Sequence, residues 1–144
     1  MRIICCGNSD RGDDGVGALV AERLRDFGVE AEIRSGEALD LIEAWSGADQ
    51  VVVVDSVETG ASAGTVWLWD GRKATFPTDK SESTHGLGLS AAIRLARVLG
   101  RLPDRLQVYG IEVRQFEYGT EISTELKPAV EHVVRQINAS RASN

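Results

Sequence analysis

Apolar positions along the chain switch repeatedly between the strand and helix periods. Arg2–Cys6 is a short apolar run that predicts a first strand. Val16, Leu19, Val20, Leu24 and Phe27 then recur at helical spacing, and Gly28 suits the end of that helix. Ala31–Arg34 predicts a second strand, and Ala38, Leu41, Ile42 and Trp45 mark one face of a second helix. Val51–Val54 is the clearest strand. It is β-branched on both faces, as a central parallel strand requires, and it runs directly into Asp55. Thr65–Trp69 predicts a further strand, followed by a polar loop from Asp70 to Ser83. Trp67 and Trp69 flank Leu68 and so share a face, with core or edge packing as the expected role. Leu89, Ala92, Ile93, Ala96 and Leu99 define a third helix that Gly100 ends, and Leu106–Val113 is the last strand. The final helix begins near Ser123 and runs to about Asn138, with Leu126, Ala129, Val130, Val133 and Ile137 on its core face. Pro128 should kink or tighten its start.

This order predicts an α/β fold: a three-layer α/β/α domain over residues 1–138. Its mainly parallel, twisted sheet has about five strands, one of them antiparallel, flanked by helices. Residues 139–144 are expected to form a frayed tail. In such a fold, ligands bind beyond the carboxyl ends of the strands.

The 144 residues suit one domain, and the net charge of −6 argues against binding nucleic acid by phosphate neutralisation or resting on anionic lipid. No apolar run approaches the ~20 residues that span a bilayer. The first residues read as a buried strand rather than a signal peptide, so a cytoplasmic protein is expected. Cys5 and Cys6 are adjacent and point to opposite faces, so no ordinary disulfide joins them, and no Cys-x-x-Cys is present.

Three segments carry candidate chemistry. The loop Gly7–Gly17 after the first strand has the wrong spacing for a dinucleotide fingerprint, and its three aspartates would repel a pyrophosphate. Asp13 and Asp14 stand at the expected start of the first helix, where capping accounts for one of them. Asp55 at the tip of a buried central strand has few structural reasons to be there. His85 stands near the start of the third helix, behind a Ser83 or Thr84 cap. The helix dipole there favours the neutral imidazole that a metal requires. His132 on the last helix reads as a solvated surface residue. An α/β sheet would bring Asp14, Asp55 and His85 to one edge. Two oxygen ligands and an imidazole with open positions suit zinc or nickel rather than calcium or magnesium.

These residues resemble the hydrogenase maturation proteases over nearly the whole chain. The resemblance rests on Gly7-Asn8 with Arg11-Gly12-Asp13-Asp14-Gly15-Val16-Gly17, on the apolar strand ending in Asp55, and on His85-Gly86-Leu87-Gly88-Leu89. Gly110-Ile111-Glu112, Phe116-Glu117, Gly119 and Ser123 extend it. It implies a hydrolase of aspartic-type endopeptidase activity. The enzyme would remove a C-terminal peptide from the precursor of a [NiFe] hydrogenase large subunit after nickel insertion. Asp14, Asp55 and His85 fall on the family's metal positions. The nickel belongs to the substrate, no resident organic cofactor is implied, and zinc or cadmium would occupy the site in vitro. Two departures stand out. Cys5 replaces a glycine, either facing a packed helix or adding a thiol beside the loop. At the segment associated with substrate recognition, Gly36 is kept and Glu37 replaces a threonine. The alternatives are a receiver-type phosphoacceptor using Asp13, Asp14 and Asp55 with magnesium, and a non-catalytic nickel-binding assembly module. The last strand lacks the lysine a receiver would need.

Overall fold

A computed structural model of the chain describes residues 1–7, 15–73, 84–113 and 124–142; the side chains of 84–87 and 142 stand outside that description. The elements in chain order are β1 (Arg2–Cys6), α1 (Val16–Arg25), β2 (Glu32–Arg34), α2 (Ala38–Trp45), β3 (Gln50–Val57), β4 (Val66–Asp70), α3 (Thr84–Leu99), β5 (Arg105–Glu112) and α4 (Lys127–Ala142). The sheet order is β2-β1-β3-β5-β4, parallel throughout except for β4, which pairs antiparallel with β5 at the edge.

The two faces of the sheet build two cores. Ile3, Cys5, Val52, Val54, Tyr109 and Ile111 pack against α1 and α4. Ile4, Cys6, Val51, Val53, Leu106 and Val108 pack against α2 and α3. Strand residues alternate between these faces, so the tetravaline run serves both cores, as a central parallel strand does. Arg23 of α1 donates to Glu131 of α4 at 2.6 Å, joining the two helices of one layer by a surface pair of small energetic weight.

Three boundaries differ from the sequence reading. The central strand does not stop at Asp55 but runs on to Val57, with Asp55 inside it. Phe27 is not on the core face of α1. The helix ends at Arg25, Gly28 takes a left-handed conformation (φ 73°), and Phe27 is exposed under the Arg23 guanidinium. The last helix does not fray from Ala139 but continues to Ala142. Its start is tightened, as Pro128 predicts: a 3-10 turn at Thr124–Leu126 leads into α4, with Pro128 in the first turn, where a missing N–H costs nothing. His132 is exposed, as expected.

Cys5 is fully buried among the residues packed on α1 and α4. Of its two expected orientations the structure takes the packed one. Burial raises its pKa to about 12, Arg25 pulling only weakly the other way. A thiolate-seeking reagent at pH 8 should therefore leave Cys5 unmodified in the folded protein and label it after denaturation. Rapid labelling of the native chain would contradict this packing.

Candidate functional site

The chain order makes the carboxyl edge the place for a site. β1 is flanked by β2 on one side and β3 on the other, so the connections diverge between the ends of β1 and β3. That is the switch point where α/β sheets open a crevice. Asp55 stands there. It pairs in register with Gly110 of β5, is 2% exposed, and accepts a hydrogen bond on Oδ1 from the Ser56 N–H at 2.8 Å. By strand alternation it shares the face of Val51 and Val53, which is the face that α2 and α3 cover.

Helix α3 leads into β5 through a short connection, so its last turn lies at the amino edge of the sheet. Its sixteen residues span ~24 Å, which carries its first turn back to the carboxyl edge. His85 is the second residue of that turn. The backbone thus brings Asp55 and His85 to one edge and one face. The His85 side chain and the whole of Asp13 and Asp14 lie outside the described residues. The N-cap of α1 is Gly15, so neither aspartate holds the capping position that the sequence reading gave to one of them. Among the described residues, no three His, Cys, Asp or Glu side chains stand close enough together to hold a metal ion.

The Gly36–Glu37 segment is built into the same edge. Gly36 takes φ 90°, a conformation that L side chains rarely adopt. Its carbonyl meets α3 at Gly88, where a Cβ would stand 2.0 Å from the Gly36 oxygen. Only glycine permits this approach, three residues beyond His85. The segment is anchored on its other side as well. The Gly7 N–H donates to the Arg34 carbonyl at 3.1 Å, which ties the exit of β2 to the exit of β1. Asp40, in the first turn of α2, accepts from Arg34 Nη1 at 2.8 Å and from the Ser35 N–H at 3.2 Å. Glu37 is exposed at the N-cap of α2. A second close approach starts α1: a Cβ on Gly17 would stand 2.0 Å from the Cys6 carbonyl oxygen.

The Asp40 carboxyl responds to two opposing influences. Partial burial raises its pKa, but the hydrogen bonds from Arg34 and Ser35 outweigh it and hold the group below its ordinary 3.8. A depressed folded-state pKa gives stability that is fully present above the unfolded value and is lost as pH falls through the folded one. Wild type should therefore lose the anchoring of this segment only below about pH 4. Asp40→Asn should show the loosened segment at neutral pH, read as faster amide exchange at Ser35. Equal Ser35 exchange in both proteins at pH 7 would contradict this.

Sequence reasoning gave no role to one buried acid of this edge, Glu112. It is 1% exposed and closes β5 on the same face as Asp55. Its signals were a charged residue at the end of an apolar strand and its place in the Gly110-Ile111-Glu112 segment of the family resemblance. The stacked Trp67 and Trp69 rings (centroids 5.7 Å apart, 11° between planes) lie on that face of the edge strand β4, half-buried, in keeping with edge packing. No described helix is long and apolar enough to cross a membrane.

This arrangement has counterparts in known proteins. The family model HycI, hydrogenase maturation protease, matches residues 35–140, a span that contains Gly36, Glu37, Asp55 and His85. Protein FrxA of Pyrococcus furiosus is 28% identical over 130 residues, 88% of this chain and 93% of its own length. The hydrogenase expression/formation protein HupD of Rhodobacter capsulatus is 26% identical, covering 95% of this chain and 70% of its own. Among solved structures, the hydrogenase maturating endopeptidase HybD from E. coli superposes with a TM-score of 0.80 at 21% identity, over 100% of this chain and 94% of that one. The [NiFe] hydrogenase maturation protease HybD from Thermococcus kodakarensis gives 0.76 at 25% identity, over 96% and 98%. Receiver domains have the flavodoxin-like order 2-1-3-4-5, from which the antiparallel β4 departs. The fold and the family match together set aside the receiver-type alternative: the chain belongs to the hydrogenase maturation protease family and is a peptidase.

Proposed function

We propose that the chain removes a C-terminal peptide from the nickel-loaded precursor of a [NiFe] hydrogenase large subunit. Asp14, Asp55 and His85 recognise the nickel that the substrate carries. The observation that carries this reading is the buried Asp55 carboxylate at the switch point, on the face and edge where α3 begins with His85. A buried carboxylate carries a solvation cost that a cation offsets. Two carboxylates and an imidazole suit a borderline metal such as nickel, or zinc and cadmium in vitro. The substrate's nickel supplies a Lewis acid beside the scissile peptide. The chain's part is to hold its acids and imidazole at that metal and to seat the extension. Gly36 and the exposed Glu37, clamped against α3, contact the substrate beside the site. No resident organic cofactor has a role in this reading.

The test uses purified chain with nickel-loaded and nickel-free precursor, read by intact mass. Loss of the extension from the loaded precursor alone is the expected result. Equal cleavage of both forms would remove nickel as the signal. Tight binding of loaded precursor without cleavage would favour the non-catalytic assembly module.

A further inference from the structure

Asp55 lies two residues before the end of β3, whose onward path must be held in place, and Glu112 is built to hold it. The connection from β3 to β4 leaves the sheet at Val57 and returns at Val66. The Glu112 side chain grips its beginning: Oε2 accepts from the Thr59 N–H at 2.7 Å and Oε1 from the Thr59 hydroxyl at 2.6 Å. The Glu112 backbone grips its end, accepting from the Gly64 N–H at 2.8 Å and donating to the Thr65 carbonyl at 2.8 Å. Trp67 Nε1–H also donates to Oε1 at 3.1 Å. Val57 pairs in register with Glu112, two residues beyond the pairing of Asp55 with Gly110. Gly110 has no side chain, and the Trp69 ring takes the space, 2.7 Å from where its Cβ would be.

The chemistry of this clasp requires a carboxylate. A carboxylate offers acceptors on both oxygens, whereas Gln offers one oxygen and a donating NH2. Whichever way a Gln side chain turned at this position, its NH2 would meet an N–H, that of Thr59 on one side or of Trp67 on the other. Replacing Glu112 alone by an apolar residue would take the acceptor from the Thr59 and Trp67 N–H groups, which is costly where they are shielded from water. Glu112 joins both ends of the segment leaving the candidate site.

We propose that Glu112 is a positioning residue: by clasping the β3–β4 connection it fixes the tip of β3 and the Asp55 carboxylate on it. The effect on cleavage rests on the protease reading; the effect on the tip of β3 does not. The Ser56 amide, bonded to Asp55 Oδ1, reports that tip directly.

The test compares Glu112→Gln with wild type by amide hydrogen exchange and by precursor cleavage. Exchange at Ser56 and Thr59 should rise about tenfold or more while Ile4 and Val52 keep their protection. With loaded precursor, kcat per folded molecule should fall about tenfold or more while KM stays within about twofold. Trp67→Phe keeps an aromatic ring on Trp69 and removes one donor, so it should show a smaller change of the same kind and covers the case in which Glu112→Gln does not fold. Unchanged exchange at Ser56, or a uniform rise across the sheet with kcat intact, would overturn the proposal and leave Glu112 a merely structural acid. If wild type cleaves no precursor, the protease reading fails, and the exchange at Ser56 still decides whether Glu112 fixes the tip of β3.

Discussion

Asp55→Asn should abolish precursor processing while leaving the fold intact. Asn keeps the shape and the acceptor oxygen that receives the Ser56 N–H. What is lost is the negative charge, at a position 2% exposed, where a charge acts at low dielectric. Loss of one charge-stabilising group in an active site costs roughly 10²–10³ in rate, and a fall on that scale in cleavage of nickel-loaded precursor is expected. The variant should unfold as cooperatively as wild type. Activity and stability thus part company, as they do when a buried acid serves the site rather than the core. A fully active, folded Asp55→Asn protein would remove Asp55 from the mechanism.

Gly88→Ala should act the other way, through the fold. The added methyl carbon would stand 2.0 Å from the Gly36 carbonyl oxygen and 3.1 Å from its carbon. Both neighbours are backbone, so neither can swing aside as a side chain does. Either the first turn of α3 moves off the sheet or the Gly36 turn gives way, and that turn is already held by Arg34, Ser35 and Asp40. Overpacking of this kind costs about 1–3 kcal/mol, several degrees in melting temperature for a chain of this size. Displacing the turn that carries His85 should also lower cleavage more than the lost stability explains. An Ala substitution at Gly47, which has open space around it but a positive φ that Gly88 lacks, serves as the comparison. It should cost stability without a selective loss of cleavage. Equal effects at the two positions would contradict the docking of α3 on Gly36.

The sequence pattern made the sheet legible where one period dominated. The tetravaline strand, buried on both faces, could not be mistaken, though it runs on through Asp55 to Val57 rather than ending there. Helix α3 was read from Leu89, Ala92, Ile93, Ala96 and Leu99; the first four are buried, but Leu99, at the helix's last residue, is exposed. Failures came where the chain leaves a regular element. Phe27 continues the helical spacing of α1, but the helix has already ended at Arg25. The end of α4 carries no breaker between Asn138 and Ala142, so nothing in the sequence marked where it stops.

The site was legible in part. Asp55 is where the strand pattern put it, and His85 falls at the start of a helix, as its Ser-Thr-His-Gly context suggested. The expected grouping of Asp14 with them rested on topology, and the structure describes only the elements on either side of that loop. Glu112 was not legible as a clasp, because its partners Thr59 and Trp67 come from the β3–β4 connection and the edge strand. The Gly36–Gly88 approach was hidden for a like reason: two glycines that are 52 positions apart become informative only when the helix is laid on the sheet.

The central claim is that this chain trims a hydrogenase large subunit with Asp14, Asp55 and His85. Its most direct test is the intact mass of the large subunit in cells carrying wild type, Asp14→Asn, His85→Ala or a deletion of the gene. The deletion and both variants should accumulate a subunit that keeps its C-terminal extension, while wild type yields the trimmed form. A subunit of mature mass in all four strains would contradict it.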